Sequence, residues 1–199
     1  MSLCYTNRMP FSIYTAISYT CWIILFSIWI ISALGSKKTV KRTDLGRSFL
    51  STILITIGFT LIFDYHLSSV FAIPLLPHSV AIGRFGMALT ILSCIFAIAA
   101  RYTLGRNWAG AVTTLKEHHE LAQTGPYRIV RHPIYTGFLF GAIGTALTIG
   151  TVASACGVTL LLIAFLTRIP TEEHLMMTQF PNTYPAYRKG TKMLIPFVW

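Results

Sequence analysis

Long apolar stretches separated by basic segments run along the whole chain. Three of them lie in the first half: Phe11 to Leu34, Ser48 to about Leu67, and Val80 to Ala100. A helix needs about 20 apolar residues to cross a hydrocarbon core about 30 Å thick. Each stretch therefore predicts one membrane-spanning helix, and the first is too long for the core of a signal peptide. The segment Ser68–Ser79 contains two prolines and predicts a short link between the second and third helices.

A fourth apolar stretch, Ile134 to Thr167, is too long for a single crossing. Its 34 residues would form a helix about 51 Å long. Basic residues stand at both ends, Arg131 before the stretch and Arg168 after it, so both ends favour the same side of the membrane. A helical hairpin that turns near Gly150 satisfies both observations, with legs slightly short for a full crossing. The sequence therefore predicts five helices.

The composition agrees with a membrane protein and excludes a soluble one. Hydrophobic residues make up 54% and charged residues 11% of the 199 residues, whereas soluble domains carry about 25% charge. The four cysteines are scattered singly, so we expect neither a disulfide framework nor a metal site. The predicted fold is an all-α polytopic membrane protein of one domain, 1–199. Its three N-terminal spans lie in 1–100, and its polar, site-bearing part lies in 101–199.

The distribution of basic residues predicts the orientation in the membrane. All of the 16 Lys and Arg residues except Arg8 and Arg84 lie at or after the ends of the first, third and fifth predicted helices, or in the loop before the fourth. By the positive-inside rule that side is cytoplasmic, so the N-terminus lies outside and the C-terminus inside. The net charge of +10 is then a topology signal rather than a nucleic-acid footprint. Asp64 and His66 fall near the outer end of the second helix, where an ion site is the less favoured interpretation.

Polar residues that can carry chemistry gather in two predicted cytoplasmic pieces, Arg101–Pro133 and Arg168–Trp199. These pieces hold four of the six acidic residues and four of the six histidines. In the first piece, His132 directly precedes Pro133, a good first residue of a helix. We therefore expect the fourth helix to begin at Pro133 and to present its free N–H groups to an anion at the membrane face.

Prolines and glycines also predict how the last two helices end and pack. Pro170 is expected to end the fifth helix, and Thr171 to cap the next one. Glu172 and Glu173 would then lie in a first helical turn, where a carboxylate can bind hydroxyl or ammonium groups. Gly137, one turn into the fourth helix, leaves room for close helix packing or for a ligand beside the backbone.

The two pieces also contain ordered motifs. The first motif consists of Gly125, Tyr127, Arg131, His132, Pro133, Tyr135 and Gly137, preceded by Leu104–Trp108 and by His119 and Leu121. The second consists of Arg168, Glu172, Glu173, Phe180, Tyr184, Tyr187 and Pro196. In this order they resemble the isoprenylcysteine carboxyl methyltransferase family. The resemblance covers about residues 101–199, whereas the first two spans match only in hydropathy.

The resemblance implies methyl transfer from S-adenosylmethionine to the C-terminal carboxylate of a lipid-modified cysteine. It implies that the cytoplasmic loop and the C-terminal helices form the cofactor pocket. No Gly-rich loop follows a strand, so the soluble dinucleotide-binding arrangement is not expected. The residues that the resemblance assigns to the cofactor are His119, Leu121, Gly125, Tyr127, His132, Pro133, Tyr135 and Glu172.

The acceptor carboxylate is already ionised at neutral pH, so the reaction needs no general base. Arg168 is the expected catalytic residue, because its guanidinium can orient a carboxylate through two N–H groups. Alternatively, Arg168 is a basic anchor whose charged group reaches the membrane interface. Trp108 and Tyr187 are expected to line the lipid-facing mouth beside the substrate, although both are also typical interfacial aromatics.

Three other functions fit parts of the same pattern. A membrane methyltransferase for an amine or thiol lipid would share the cofactor residues, and an amine acceptor would need a base such as His119 or Glu173. Sterol-type reductases share the C-terminal architecture but bind NADPH and usually have more spans. A non-enzymatic membrane scaffold leaves the concentration of His, Arg, Glu and Tyr unexplained. The expected partners are a lipidic substrate and membrane lipids, without nucleic acid or metal. The short loops favour a multi-pass protein of a prokaryotic cell membrane, with the endoplasmic reticulum as the expected location in a eukaryote.

Overall fold

The computed structural model describes residues 12–34, 39–42, 45–63, 73–77, 79–105, 114–116, 121–196 and 198, and within these ranges the protein is mainly helical. The helices are α1 (Ile13–Ala33), α2 (Leu45–Phe63), α3 (Val80–Leu104), α4 (Pro133–Ile149), α5 (Val152–Gln179) and α6 (Tyr184–Gly190). A 3₁₀ turn covers Gly125–Arg128, and two short strands, β1 (Thr39–Arg42) and β2 (Thr114–Lys116), pair antiparallel.

Three helices, α1, α3 and α5, are long and apolar enough to cross a membrane. The prediction of an integral membrane protein built from helices is therefore confirmed, while α2 and α4 carry shorter apolar segments. The strand pair was not predicted. It joins the segment after α1 to the segment after α3, two segments that the charge pattern assigns to the same side. Asp64, His66 and half of the link Ser68–Ser79 lie outside the described residues.

The hairpin of α4 and α5 forms where local sequence signals predict it. Pro133 is the first residue of α4, and His132 occupies the N-cap position. Gly150 ends α4 with φ of 74°, a left-handed conformation that glycine adopts without a steric penalty. The Thr151 side chain then caps α5 by accepting a hydrogen bond from the Ser154 N–H. Both predicted positions, the start at Pro133 and the turn at Gly150, are confirmed.

The predicted end of α5 at Pro170 is wrong, because the helix continues to Gln179. Proline removes one backbone hydrogen bond from a helix and crowds the preceding turn, at a cost of about 3 kcal/mol or more. Packing offsets this cost here, since Ile169 and Glu173 are buried on either side while Pro170 itself is exposed. Thr171 consequently caps nothing, and Glu172 follows Arg168 by one turn of the same helix.

Glycines let the helices approach each other closely. A Cβ on Gly144 would lie 2.5 Å from the Gly86 carbonyl oxygen, and a Cβ on Gly137 would lie 2.7 Å from the Ala97 Cβ. The space beside Gly137 is thus filled by α3, so the expectation that a ligand approaches the backbone there is wrong.

Long-range hydrogen bonds bring the helix ends together at two opposite ends of the bundle. The Thr15 hydroxyl, at the start of α1, donates to the Thr148 carbonyl near the end of α4 (3.2 Å). Arg101 near the end of α3 donates to the Ser32 carbonyl near the end of α1 (2.9 Å). A Cβ on Gly125 would meet Thr103 of α3 at 2.9 Å, which places the 3₁₀ turn at this second end. The start of α4 follows this turn, and the part of α5 that carries Glu172 and Glu173 lies beside the start of α4. We call this region the site end.

Candidate functional site

His132 lies at the centre of a charged cluster at the site end. Its Nδ1 lies 3.6 Å from Glu172 Oε2, and its Nε2 lies 3.5 Å from Glu173 Oε1. These are ion-pair distances rather than short hydrogen bonds. Burial disfavours the charged imidazole, but the carboxylates of Glu172 and Glu173, one beside each ring nitrogen, outweigh burial and raise the pKa of His132. The two adjacent acids on α5 therefore favour an imidazolium at the start of α4.

Glu172 is the more accessible of the two acids. Its side chain is 26% exposed, whereas that of Glu173 is 9% exposed. The Tyr135 hydroxyl donates a hydrogen bond to Glu172 Oε1, and Arg168 Nε lies 3.8 Å from the same oxygen. Glu172 thus joins an aromatic residue of α4 to a buried arginine of α5, while part of its side chain stays open.

Aromatic stacking connects this cluster to the apolar interior. The Tyr135 ring stacks on the Phe165 ring at a centroid distance of 4.7 Å, and on the His132 ring at 5.8 Å. Arg168 is 7% exposed, so its guanidinium lies inside the protein rather than on its surface. The site therefore changes from charged to apolar within about one helical turn.

Two arginines hold Glu173. Arg131 Nε donates to Glu173 Oε1 at 2.8 Å, and Arg188 Nε of α6 lies 3.1 Å from Oε2. Both carboxylate oxygens are thus paired with guanidinium groups. Charge-assisted pairs of this kind are stronger and more directional than neutral hydrogen bonds.

The C-terminal tail runs alongside the segment that precedes α4. The Arg131 N–H donates to the Lys192 carbonyl (2.8 Å), and the His132 N–H donates to the Met193 carbonyl (3.1 Å). The Tyr187 hydroxyl of α6 donates to the Tyr127 carbonyl (2.7 Å), and burial raises the pKa of Tyr187 to about 12. Its hydroxyl therefore stays protonated at neutral pH and able to donate this bond.

Most of the expected site residues that the structure describes meet at the site end. The cluster unites His132, Tyr135, Arg168 and Glu172, with Pro133 beginning the helix beneath them. Tyr127 and Tyr187 are hydrogen-bonded to each other at the same end of the bundle. Gly125 adopts φ of 55° and lies against α3, and Leu121 is half-buried. Trp108 and His119 lie outside the described residues.

Sequence reasoning missed the roles of three residues in this cluster. Arg131 was noticed as a motif member and as a basic residue beside the fourth helix, and Arg188 as a motif-flanking topology charge. Glu173 was considered as a ligand-binding carboxylate and as a base, but not as the partner of two arginines. Their pairing depends on contacts between residues distant in the sequence, since Arg131 donates to Glu173 and to the Arg188 carbonyl on two later helices. One signal in the sequence was available. Arg131 is adjacent to His132, and Glu173 is adjacent to Glu172, which indicated that all four residues belong to one site.

A model of the isoprenylcysteine carboxyl methyltransferase family matches residues 86–178, from α3 through most of α5. Protein-S-isoprenylcysteine O-methyltransferase B of Arabidopsis thaliana is 33% identical over 166 residues, which are 82% of this chain and 81% of that protein. Protein-S-isoprenylcysteine O-methyltransferase A of the same plant is 31% identical over 156 residues, which are 75% of this chain and 79% of that protein.

The protein-S-isoprenylcysteine O-methyltransferase of Saccharomyces cerevisiae is 34% identical over 118 residues, which are 55% of this chain and 49% of that protein. The matched region of the family model contains Arg131, His132, Tyr135, Arg168 and Glu172 of the cluster. Two Arabidopsis relatives above 30% identity cover most of both chains. The chain therefore belongs to the isoprenylcysteine carboxyl methyltransferase family.

Proposed function

We propose that this protein is an integral membrane methyltransferase that esterifies the C-terminal carboxylate of an isoprenylated cysteine, with S-adenosylmethionine as the methyl donor. Family membership supports the reaction, and the names of the Arabidopsis relatives support the acceptor. The single observation that carries the proposal is the cluster of His132, Tyr135 and Arg168 around a partly exposed Glu172. This cluster lies where charged and apolar surroundings meet, as an acceptor with an ionic head and a lipid tail requires.

The residues present fit the methyl donor. It supplies an electrophilic methyl group on a positively charged sulfur. Glu172 would take its hydroxyl or ammonium groups, because one face of this carboxylate stays open. The first turn of α4, which begins at Pro133, would take its carboxylate. The proposed cofactor residues are His119, Leu121, Gly125, Tyr127, His132, Pro133, Tyr135 and Glu172.

Arg168 is the proposed catalytic residue. An acceptor carboxylate needs no base, so the protein has to hold one carboxylate oxygen in line with the methyl group and exclude water. The burial of Arg168 beside Glu172 supports this role over that of a surface anchor. Trp108 and Tyr187 are proposed to border the lipid-facing side of the acceptor.

We infer a five-span arrangement with the site end in the cytoplasm. The alternating direction of the helices and the basic residues at the site end support it, as does the strand pair after α1 and α3. In this arrangement 1–100 contributes three spans, 101–199 forms the cofactor-binding part, and the membrane is crossed several times with the N-terminus outside.

The alternative acceptors are less well supported by the cluster. An amine acceptor would need a base, yet Glu173 has both oxygens paired with Arg131 and Arg188. A carboxylate can accept a proton readily only when such pairs are broken. No specific feature among the described residues favours a thiol acceptor, an NADPH-dependent reductase or a non-enzymatic scaffold.

A ligand-binding experiment tests the proposal. S-adenosylhomocysteine should raise the Tm of the purified protein in detergent, whereas NADPH should leave it unchanged. Glu172→Gln should lower the affinity for S-adenosylhomocysteine at least tenfold, the scale of a lost hydrogen bond to a charged group. His174→Gln is the matched control, because His174 lies on the same helix with an exposed side chain. A rise in Tm with NADPH but not with S-adenosylhomocysteine would contradict the proposal.

A further inference from the structure

Glu173 differs from its neighbour Glu172 in how firmly it is held. Its Oε1 accepts from Arg131 Nε at 2.8 Å, and its Oε2 lies 3.1 Å from Arg188 Nε. The side chains of Glu173 and Arg131 are each 9% exposed. Turning Glu173 toward a ligand would leave the Arg131 guanidinium buried without its counter-charge, which is strongly unfavourable. Glu173 is therefore a fixed charge rather than a ligand-binding one.

The fixed carboxylate faces His132. Glu173 Oε1, the oxygen that accepts from Arg131, is also 3.5 Å from His132 Nε2. On its other side, His132 Nδ1 is 3.6 Å from Glu172 Oε2. The imidazole thus lies between one immobilised carboxylate and one accessible carboxylate.

Arg131 also connects the segments that surround His132. Its Nη1 donates to the Arg188 carbonyl (3.0 Å) and to the Thr191 carbonyl. Its own N–H donates to the Lys192 carbonyl (2.8 Å). Arg131, which directly precedes His132, therefore ties the segment before α4 to Glu173 of α5, to the end of α6 and to the C-terminal tail.

We propose that Arg131 and Glu173 are positioning residues, which hold the His132 ring against Glu172 and thereby orient Glu172 toward the methyl donor. This inference rests on the proposed function, because it assigns a purpose to a residue of the cofactor pocket. Arg131 and Glu173 act through His132 and do not themselves contact the donor.

The charges around His132 make this inference testable by titration. Glu172 and Glu173 of α5 lie beside the two nitrogens of the His132 ring, and Tyr135 of α4 stacks on it. The other charged and titratable groups that interact with these two acids are Tyr127 and Arg131 from the segment before α4, Arg168 from α5, and Tyr184, Tyr187 and Arg188 from α6. Two carboxylates favour the imidazolium and three guanidinium groups oppose it. Removing the charge of Glu173 would delete one attraction and leave two guanidinium groups uncompensated, so the pKa of His132 must fall.

A titration followed by NMR measures this effect without the methyl donor. Protein labelled with ¹⁵N-histidine in detergent micelles would be titrated, with His132 assigned from the signal that disappears in His132→Gln. Glu173→Gln should lower the pKa of His132 by about one unit or more. Arg188→Gln should raise the pKa of His132, because one opposing cation is lost. Arg188 is 52% exposed, so this position tolerates replacement. His174→Gln should leave the pKa of His132 unchanged.

Binding measurements test the consequence for the methyl donor. Arg131→Gln should weaken S-adenosylhomocysteine binding about tenfold, Arg131→Lys should recover most of this loss, and kcat at saturating donor should change by less than about threefold. Arg128→Gln is the matched control, since Arg128 is exposed in the preceding turn.

Two outcomes would overturn the inference. The first is a pKa of His132 that does not fall in Glu173→Gln or does not rise in Arg188→Gln. The second is parent-like donor affinity in Arg131→Gln. Failure of the parent protein to bind S-adenosylhomocysteine would instead contradict the proposed function, while the titration would still decide how His132 is held.

Discussion

Replacing Arg168 by Lys should slow methyl transfer while leaving the methyl donor bound. Arg168 lies on α5 one turn before Glu172, and its Nε is 3.8 Å from Glu172 Oε1. Only 7% of its side chain is exposed. Lysine keeps the positive charge beside Glu172, so the donor site retains its electrostatic balance. Lysine lacks the planar fork that can grip both oxygens of an acceptor carboxylate.

The size of the effect follows from the contact that is lost. One hydrogen bond to a charged group contributes about 1–3 kcal/mol. Because each 1.36 kcal/mol is a factor of ten in rate, kcat should fall by roughly 5- to 150-fold. The Kd for S-adenosylhomocysteine should change by less than about threefold, since the residues proposed to touch the donor are unaltered.

The assay compares single-turnover rates of parent and Arg168→Lys protein with saturating donor in the same nanodisc. Arg128→Lys is the matched control, because it makes the same chemical change at an exposed arginine of the same end of the bundle. Parent-like turnover in Arg168→Lys would remove Arg168 from the catalytic assignment. It would indicate that Arg168 serves only as a cation near the interface, a role that lysine fulfils equally well.

Three further predictions concern packing, pH and topology. Gly144→Ala should lower the Tm in detergent by overpacking the contact between α3 and α4, a cost of about 1–3 kcal/mol, whereas Gly190→Ala has open space and should not; equal Tm values would refute the close approach. Because the pKa of His132 is raised in the folded state, its charged pairs should add stability below about pH 6.5 and lose it as the pH rises through the raised value. The stability difference between parent and His132→Gln should therefore shrink with rising pH, and a constant difference would contradict the ion pairs. A reporter fused after Trp199 should be cytoplasmic and one before Met1 should not, and a shared side would contradict five spans.

Local signals were sufficient to predict the hairpin that positions the site. Pro133 begins α4 because its fixed φ suits the first turn, and Gly150 ends it because a left-handed residue closes the helix. Both are properties of a few neighbouring residues. The gathering of His132 and Glu172 could also be expected, since the segments that carry them emerge at the same end of two connected helices.

Features that depend on distant contacts could not be predicted from local sequence. Pro170 does not end α5, because buried residues on both sides of it stabilise the helix more than the lost hydrogen bond destabilises it. Gly137 faces α3 rather than a ligand, which only the close approach of the two helices reveals. The pairing of Glu173 with Arg131 and Arg188 requires α5 and α6 to return to the segment that precedes α4. No spacing within either motif encodes that return.

The chemical identity of the methylated product tests the proposed carboxyl methylation most directly. Purified protein in nanodiscs would be given S-adenosylmethionine with a tritiated methyl group and a farnesylated cysteine with a free carboxylate. A carboxyl methyl ester releases its label as methanol in mild base, whereas a methylated amine or thioether keeps it. If the protein methylates the carboxylate, the farnesylated cysteine carries base-labile label, the rate is reduced in Arg168→Lys, and no label appears when the carboxylate is replaced by an amide. Base-stable label, or equal labelling of the amide, would contradict the proposed carboxyl methylation.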